Sequence, residues 1–131
     1  MRCIIEKSKN NYSAYIEGVD GITATGRTMN EIKKNIVEAV NIFKEECVEL
    51  DCDIPDELKN DQEISFSMDT QSFLEFYEGI FSKAGLERLT GINQKQLWHY
   101  AKGKTKPRKE QASKIENALH ELGEQLISIQ L

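Results

Sequence analysis

Residues 82–119 read SKAGLERLTGINQKQLWHYAKGKTKPRKEQASKIENAL, and their order of apolar residues, glycines and cations decides how the chain is read. Leu86 and Leu89 are three apart and mark a short helix that stops at Gly91. Ile92 reads as a buried turn residue. Asn93 has a short side chain that accepts hydrogen bonds from helix-opening amides, so it caps a second helix over 94–102, ended by Gly103. Leu97 and Tyr100 then face inward, and Gln94, Lys95, Trp98 and His99 are left on the outer face. A short helix, a tight turn with Gly and a second helix with a polar outer face form a helix-turn-helix.

The outer-face residue types suit DNA. A Gln such as Gln94 can bond adenine bidentately in the major groove, and a Lys such as Lys95 can donate to guanine. Trp98 either touches a thymine methyl or fills a groove between helices. Five cations follow in the loop over 102–109: Lys102, Lys104, Lys106, Arg108 and Lys109. Such a loop suits phosphates, whose contacts position a recognition helix without reading sequence. The whole chain carries a net charge of −5, but the average conceals a division. Residues 83–114 hold 9 Lys/Arg against 2 acids, net +7, whereas residues 1–69 hold 8 Lys/Arg against 15 Asp/Glu, net −7. An acidic half joined to a basic segment points to two partners of different kinds, and the helix-turn-helix pattern makes double-stranded operator DNA one of them.

Beyond the basic loop, a last helix is expected over 109–122, with Ile115, Ala118, Leu119 and Leu122 on one face and Gly123 as its stop. In the tail, Ile127, Ile129 and Leu131 alternate with polar residues, the period of a strand. An unpaired apolar strand is an aggregation edge. Pairing with its own copy across a two-fold axis would remove that edge, so residues 124–131 are read as a dimerisation strand and the protein as a homodimer or higher homo-oligomer; the alternative is a helix that continues past Gly123 and packs within the monomer.

The first half has a different rhythm. Residues 2–8, 12–17 and 22–25 read as three short strands separated by Lys9-Asn10-Asn11 and by the Gly18 to Gly21 turn, a meander of hairpins. Thr28 and Glu31 have capping-box spacing, in which Glu31 reaches back to the Thr28 amide. Ile32, Ile36, Val40, Phe43 and Cys47 follow at helical steps, and the helix ends near Leu50. Residues 51–62 read as an acidic loop, and 63–68 alternate as a fourth strand. A further helix is expected over 71–81. The fold class is therefore α+β: residues 1–69 form a small antiparallel sheet with one helix, and residues 70–131 form an all-α helix-turn-helix domain with the dimerisation strand.

Other classes are disfavoured. No apolar run reaches the roughly 18 residues of a transmembrane helix. The opening Met1-Arg2-Cys3-Ile4-Ile5-Glu6 is charged too soon for a signal peptide, so a cytoplasmic location is expected. Three cysteines, Cys3, Cys47 and Cys52, do not make a disulfide framework, and the second ligand pair of a zinc site is missing, so they are read as structural thiols. Glu6, Glu17 and Asp20 do not make a metal-binding carboxylate set, and neither His99 nor His120 has a triad partner at a suitable spacing. No enzyme activity, metal or cofactor is expected.

Two family resemblances follow from these residues. Leu86-x-x-Leu89-x-Gly91-Ile92-Asn93-Gln94-x-x-Leu97 with Gly103-Lys104-x-x-Pro107 resembles the bacteriophage-repressor (XRE-type) helix-turn-helix. The resemblance implies that Gln94, Lys95 and His99 face base edges, that Asn93 caps the helix, and that Lys104, Lys106 and Arg108 lie near phosphates. Tyr12-Ser13-Ala14-Tyr15-x-x-Gly18, Gly21-Ile22-x-Ala24-x-Gly26-x-Thr28-x-x-Glu31 and Asn35-x-x-Glu38-Ala39 look like the HicB antitoxin domain over about residues 2–50. That resemblance implies a partial ribonuclease-H-like fold and a HicA-like partner, a small basic messenger-RNA interferase that the antitoxin silences while repressing its own operon. The alternative is a stand-alone transcriptional repressor whose first domain binds another protein or a small ligand.

Overall fold

In a computed structural model describing residues 1–59 and 63–131, the chain is α+β. Its elements run β1 (Arg2–Lys7), β2 (Tyr12–Ile16), β3 (Thr23–Gly26), α1 (Met29–Glu49), a single 3-10 turn (Asp56–Leu58), β4 (Ser65–Met68), α2 (Thr70–Phe76), α3 (Lys83–Thr90), α4 (Gln94–Ala101) and α5 (Lys109–Ile127). Two compact units result, Met1–Asp69 and Thr70–Leu131. Of the loop expected over 51–62, residues 60–62 lie outside the described residues, and part of the remainder winds into the 3-10 turn.

The first unit is a four-stranded sheet in the order β3-β2-β1-β4. β1 pairs antiparallel with β2 (Ile5 opposite Ala14), and β2 pairs antiparallel with β3 (Ala14 opposite Ala24). The purely antiparallel sheet expected from the sequence is corrected here: β4 runs parallel to β1, with Cys3 opposite Phe66. A parallel neighbour needs a crossover of a dozen or more residues, commonly a helix. The 21-residue α1 supplies it, carrying the chain from the β3 edge to the β4 edge.

Alternation along the strands sends Cys3, Ile5, Ala14 and Ile16 to the covered face. Against them α1 turns Ile32, Ile36, Val40 and Cys47, and Val19, Ile22 and Leu58 are buried as well. Each large aliphatic side chain buried this way contributes about 1.5–3 kcal/mol. The Thr28 hydroxyl accepts from the Glu31 amide at 3.1 Å, as the capping box predicts. The Glu31 carboxylate, however, accepts from the Arg27 amide at 2.8 Å and not from Thr28, so the reciprocal bond falls one residue further out. Asn35 Nδ2 donates to the Thr25 carbonyl at 2.8 Å and ties α1 to β3.

The second unit is helical. Leu74, Leu86, Ile92, Leu97, Tyr100, Ala101 and Ile115 form its core, with Phe73, Phe81 and Leu119 packed against them. α2 is shorter than expected, ending at Phe76; Tyr77 to Phe81 form turns closed by Phe81 N–H on the Tyr77 carbonyl.

The reading of the tail is also corrected. α5 runs through Gly123 to Ile127, and residues 124–131 hold no strand. Leu119, Leu122 and Leu126 continue the three-and-four spacing begun at Ile115, and that period outweighs the two-residue alternation of the last positions. Gly123 is not among the glycines with positive φ, so it does not cap. A helix-interior Gly with open space around it invites a substitution test. Gly123→Ala is expected to stabilise the second unit by about 0.4–1 kcal/mol in urea unfolding, because Ala loses less backbone entropy on folding. A loss of stability would mean that the helix stops there after all.

Candidate nucleic-acid interface

The turn between α3 and α4 is built from local chemistry. The Ser82 hydroxyl accepts from the Gly85 amide at 2.9 Å and opens α3. At its other end the Thr90 hydroxyl donates to the Leu86 carbonyl at 2.7 Å and accepts from the Ile92 amide at 3.1 Å. Gly91 takes a left-handed φ of 75°, a conformation that costs a side-chain-bearing residue energy, and its amide donates to the Glu87 carbonyl. Ile92 is buried and anchors the turn to the core. Asn93 Oδ1 then accepts from the Lys95 amide at 2.8 Å and starts α4.

α4 is amphipathic in the sense the sequence predicts. Leu97, Tyr100 and Ala101 are buried, whereas Asn93, Gln94, Lys95 and Trp98 are exposed. His99 differs from its outer-face assignment: it is half-buried, with Nδ1 enclosed and without a hydrogen-bond partner. Its ring meets Trp98 edge-on, 5.3 Å between centroids. On α3, Leu86 is buried and Leu89 is exposed.

Several outer side chains are already engaged. Gln94 Nε2 donates to Glu87 Oε2 at 3.1 Å, bridging the two helices. Lys104 Nζ sits 4.4 Å from the centroid of the Trp98 ring, a cation–π contact that holds the following loop over the face of α4. Gln96 Nε2 donates to Thr105 Oγ1 at 3.2 Å and braces the same loop. Gly103 turns the chain with φ 72°, and the Gln71 side chain of α2 occupies the space a Cβ would need. Glu87, Gln96 and Thr105 were not legible as site residues, since their roles depend on which helix and loop meet.

The five loop cations, Lys102, Lys104, Lys106, Arg108 and Lys109, are all exposed. α5 begins among them without a side-chain cap, and uncapped helix-opening amides suit an anionic oxygen. The surface thus combines a polar helix face, one exposed aromatic ring and a rim of exposed positive charge. Among the described residues no group of three or more His, Cys, Asp or Glu could hold a metal, and no helix is long and apolar enough to cross a membrane.

No protein-family model, curated protein or solved structure matches the chain.

Trp98 is the single tryptophan of the sequence, which makes this surface directly observable. Lys104→Ala is expected to change the emission of the free protein by removing the cation from the ring. Titration of the unaltered protein with a short duplex is expected to shift or quench that emission. An emission that stays constant while the duplex is bound would place the contact away from α4.

Proposed function

We propose that the protein is an antitoxin of a type II toxin–antitoxin system, which binds its operator through α3, the Gly91 turn and α4, and silences a HicA-like basic toxin through its first unit. One observation carries the DNA half. An Asn93-capped helix buries Leu97 and Tyr100 and leaves Gln94, Lys95 and Trp98 exposed beside five exposed cations. In the proposed complex α4 lies in the major groove, with Gln94 and Lys95 at base edges. Lys102, Lys104, Lys106 and Arg108 lie along phosphates, releasing condensed counterions and giving salt-dependent affinity.

The toxin-binding half rests on two supports: the HicB-like residue pattern and the net −7 of residues 1–69. An acidic surface speeds encounter with a basic RNA-binding protein and disfavours acidic partners. A module of this size reads one half-site, so two copies acting about one DNA turn apart complete the proposal. The exposed apolar side chains Leu126 and Ile127 in the last turn of α5, with Ile129 just beyond it, are the proposed pairing surface.

Gln94→Ala combined with Lys95→Ala is expected to abolish the preference for operator over random duplex, while non-specific binding survives through the loop cations. An unchanged ratio between the two DNAs would refute α4 as the recognition helix. Co-expression of residues 1–69 with the toxin is expected to restore growth at least in part without binding DNA. Rescue by residues 70–131 alone would refute the division of labour.

A further inference from the structure

At the end of α1 a backbone hydrogen bond joins two cysteines, Cys47 and Cys52. Leu50 caps the helix, and Asp51 takes a left-handed φ of 53°. The Asp51 amide donates to the Val48 carbonyl at 3.3 Å, and the Cys52 amide donates to the Cys47 carbonyl at 2.8 Å. These nested bonds around a left-handed residue are the Schellman motif. In that motif the residue three before the cap and the residue two after it face one another, commonly in an apolar contact. Here those two residues are Cys47 and Cys52. Bond lengths alone, with an N···O distance of 2.8 Å, hold their Cα atoms within about 7 Å. A disulfide spans about 4.4–6.8 Å between Cα atoms. The two thiols also differ in access. Cys52 is exposed and donates to the Leu50 carbonyl, whereas Cys47 is 8% exposed.

We propose that Cys47 and Cys52 form a thiol–disulfide exchange site that closes an intramolecular disulfide across the end of α1, with a small-molecule disulfide of the glutathione type as co-reactant. The exposed Cys52 loses its proton to solvent, and its thiolate attacks one sulfur of that disulfide. A mixed disulfide forms on Cys52, and the first small thiolate leaves and takes up a proton. Cys47 then loses its proton to solvent, and its thiolate attacks Cys52 Sγ. The Cys47–Cys52 bond forms, and the second small thiolate leaves and is protonated. Two protein thiols are oxidised to one disulfide, and one small disulfide is reduced to two thiols. Cys3 takes no part: it is fully buried in β1, and burial pushes its thiol up to about 11 against the lowering effect of the Tyr15 backbone hydrogen bond. The closed bond staples the last turn of α1 to the segment that follows it.

The test incubates the full chain in oxidised and reduced glutathione at graded ratios and counts free thiols, with peptide mapping of the product. The count is expected to fall from three to one, with Cys47 linked to Cys52 and full recovery in dithiothreitol. Cys47→Ser is expected to stop at a stable mixed disulfide on Cys52, and Cys52→Ser to keep its two remaining thiols. Asp51→Val disfavours the left-handed turn and is expected to need a roughly tenfold more oxidising ratio for half-closure. Wild-type protein that stops at the mixed disulfide, or that links Cys52 between two chains, would overturn the proposal. So would Asp51→Val closing as readily as wild type.

Discussion

An eight-residue helix does not persist by itself in water, and α3 and α4 are both of that length. Their existence and their mutual placement depend on one shared burial. Leu86 from α3 and Leu97 from α4 are both essentially inaccessible, and Tyr100, Ile92 and Ile115 complete the same cluster. Truncating such a side chain to Ala typically costs about 2–5 kcal/mol, a large share of the stability of a unit this small. The Ser82, Gly91 and Asn93 caps decide where each helix starts or stops, but the core decides that the two occur together. The exposed face of α4 is therefore as rigid as the Leu97 packing beneath it.

The outer face is not idle before it meets a partner. Gln94 is held by Glu87, and Lys104 lies over Trp98. A base or phosphate contact through either residue would exchange one interaction for another, so the net gain is smaller than the new contact alone. This exchange also favours discrimination. A ligand that cannot replace the Glu87 bond to the Gln94 amide leaves a polar group unpaired, and that penalty exceeds the worth of an ordinary hydrogen bond. The bracing of the loop by Gln96 and Thr105 would have the opposite effect on the proposed binding, because a loop held in advance has a lower ordering cost.

In the first unit the governing constraint is the parallel β1–β4 pair. It requires the long crossover, and the crossover places α1 over one face of the sheet. The opposite face carries Tyr15 and the Arg2–Glu17 ion pair, with Arg2 also donating to Ser67. This exposed pair contributes little to stability. Acids outnumber cations 15 to 8 on this unit, whereas in the other the cations concentrate within residues 83–114, nine against two acids.

By itself, the sequence determined whatever depends on neighbours a few residues away. The strands of the hairpins, the Thr28 and Asn93 caps, the Gly91 stop and the inward Leu97 and Tyr100 all follow from residue type and short spacing. So does the separation of charge. Tertiary structure decided what those signals leave degenerate. A strand looks the same whether its neighbour runs with it or against it, so the direction of β4 came from the α1 crossover. The tail satisfied both a strand period and a helix period, and the continuing backbone bonds of α5 settled it in favour of helix through Gly123. His99 is half-buried with Nδ1 enclosed, a degree of burial that its position along α4 does not fix. Cys47 and Cys52 were five residues apart and nothing more until Asp51 took a left-handed turn. Contacts of that kind are formed by backbone direction and packing, which no residue carries alone.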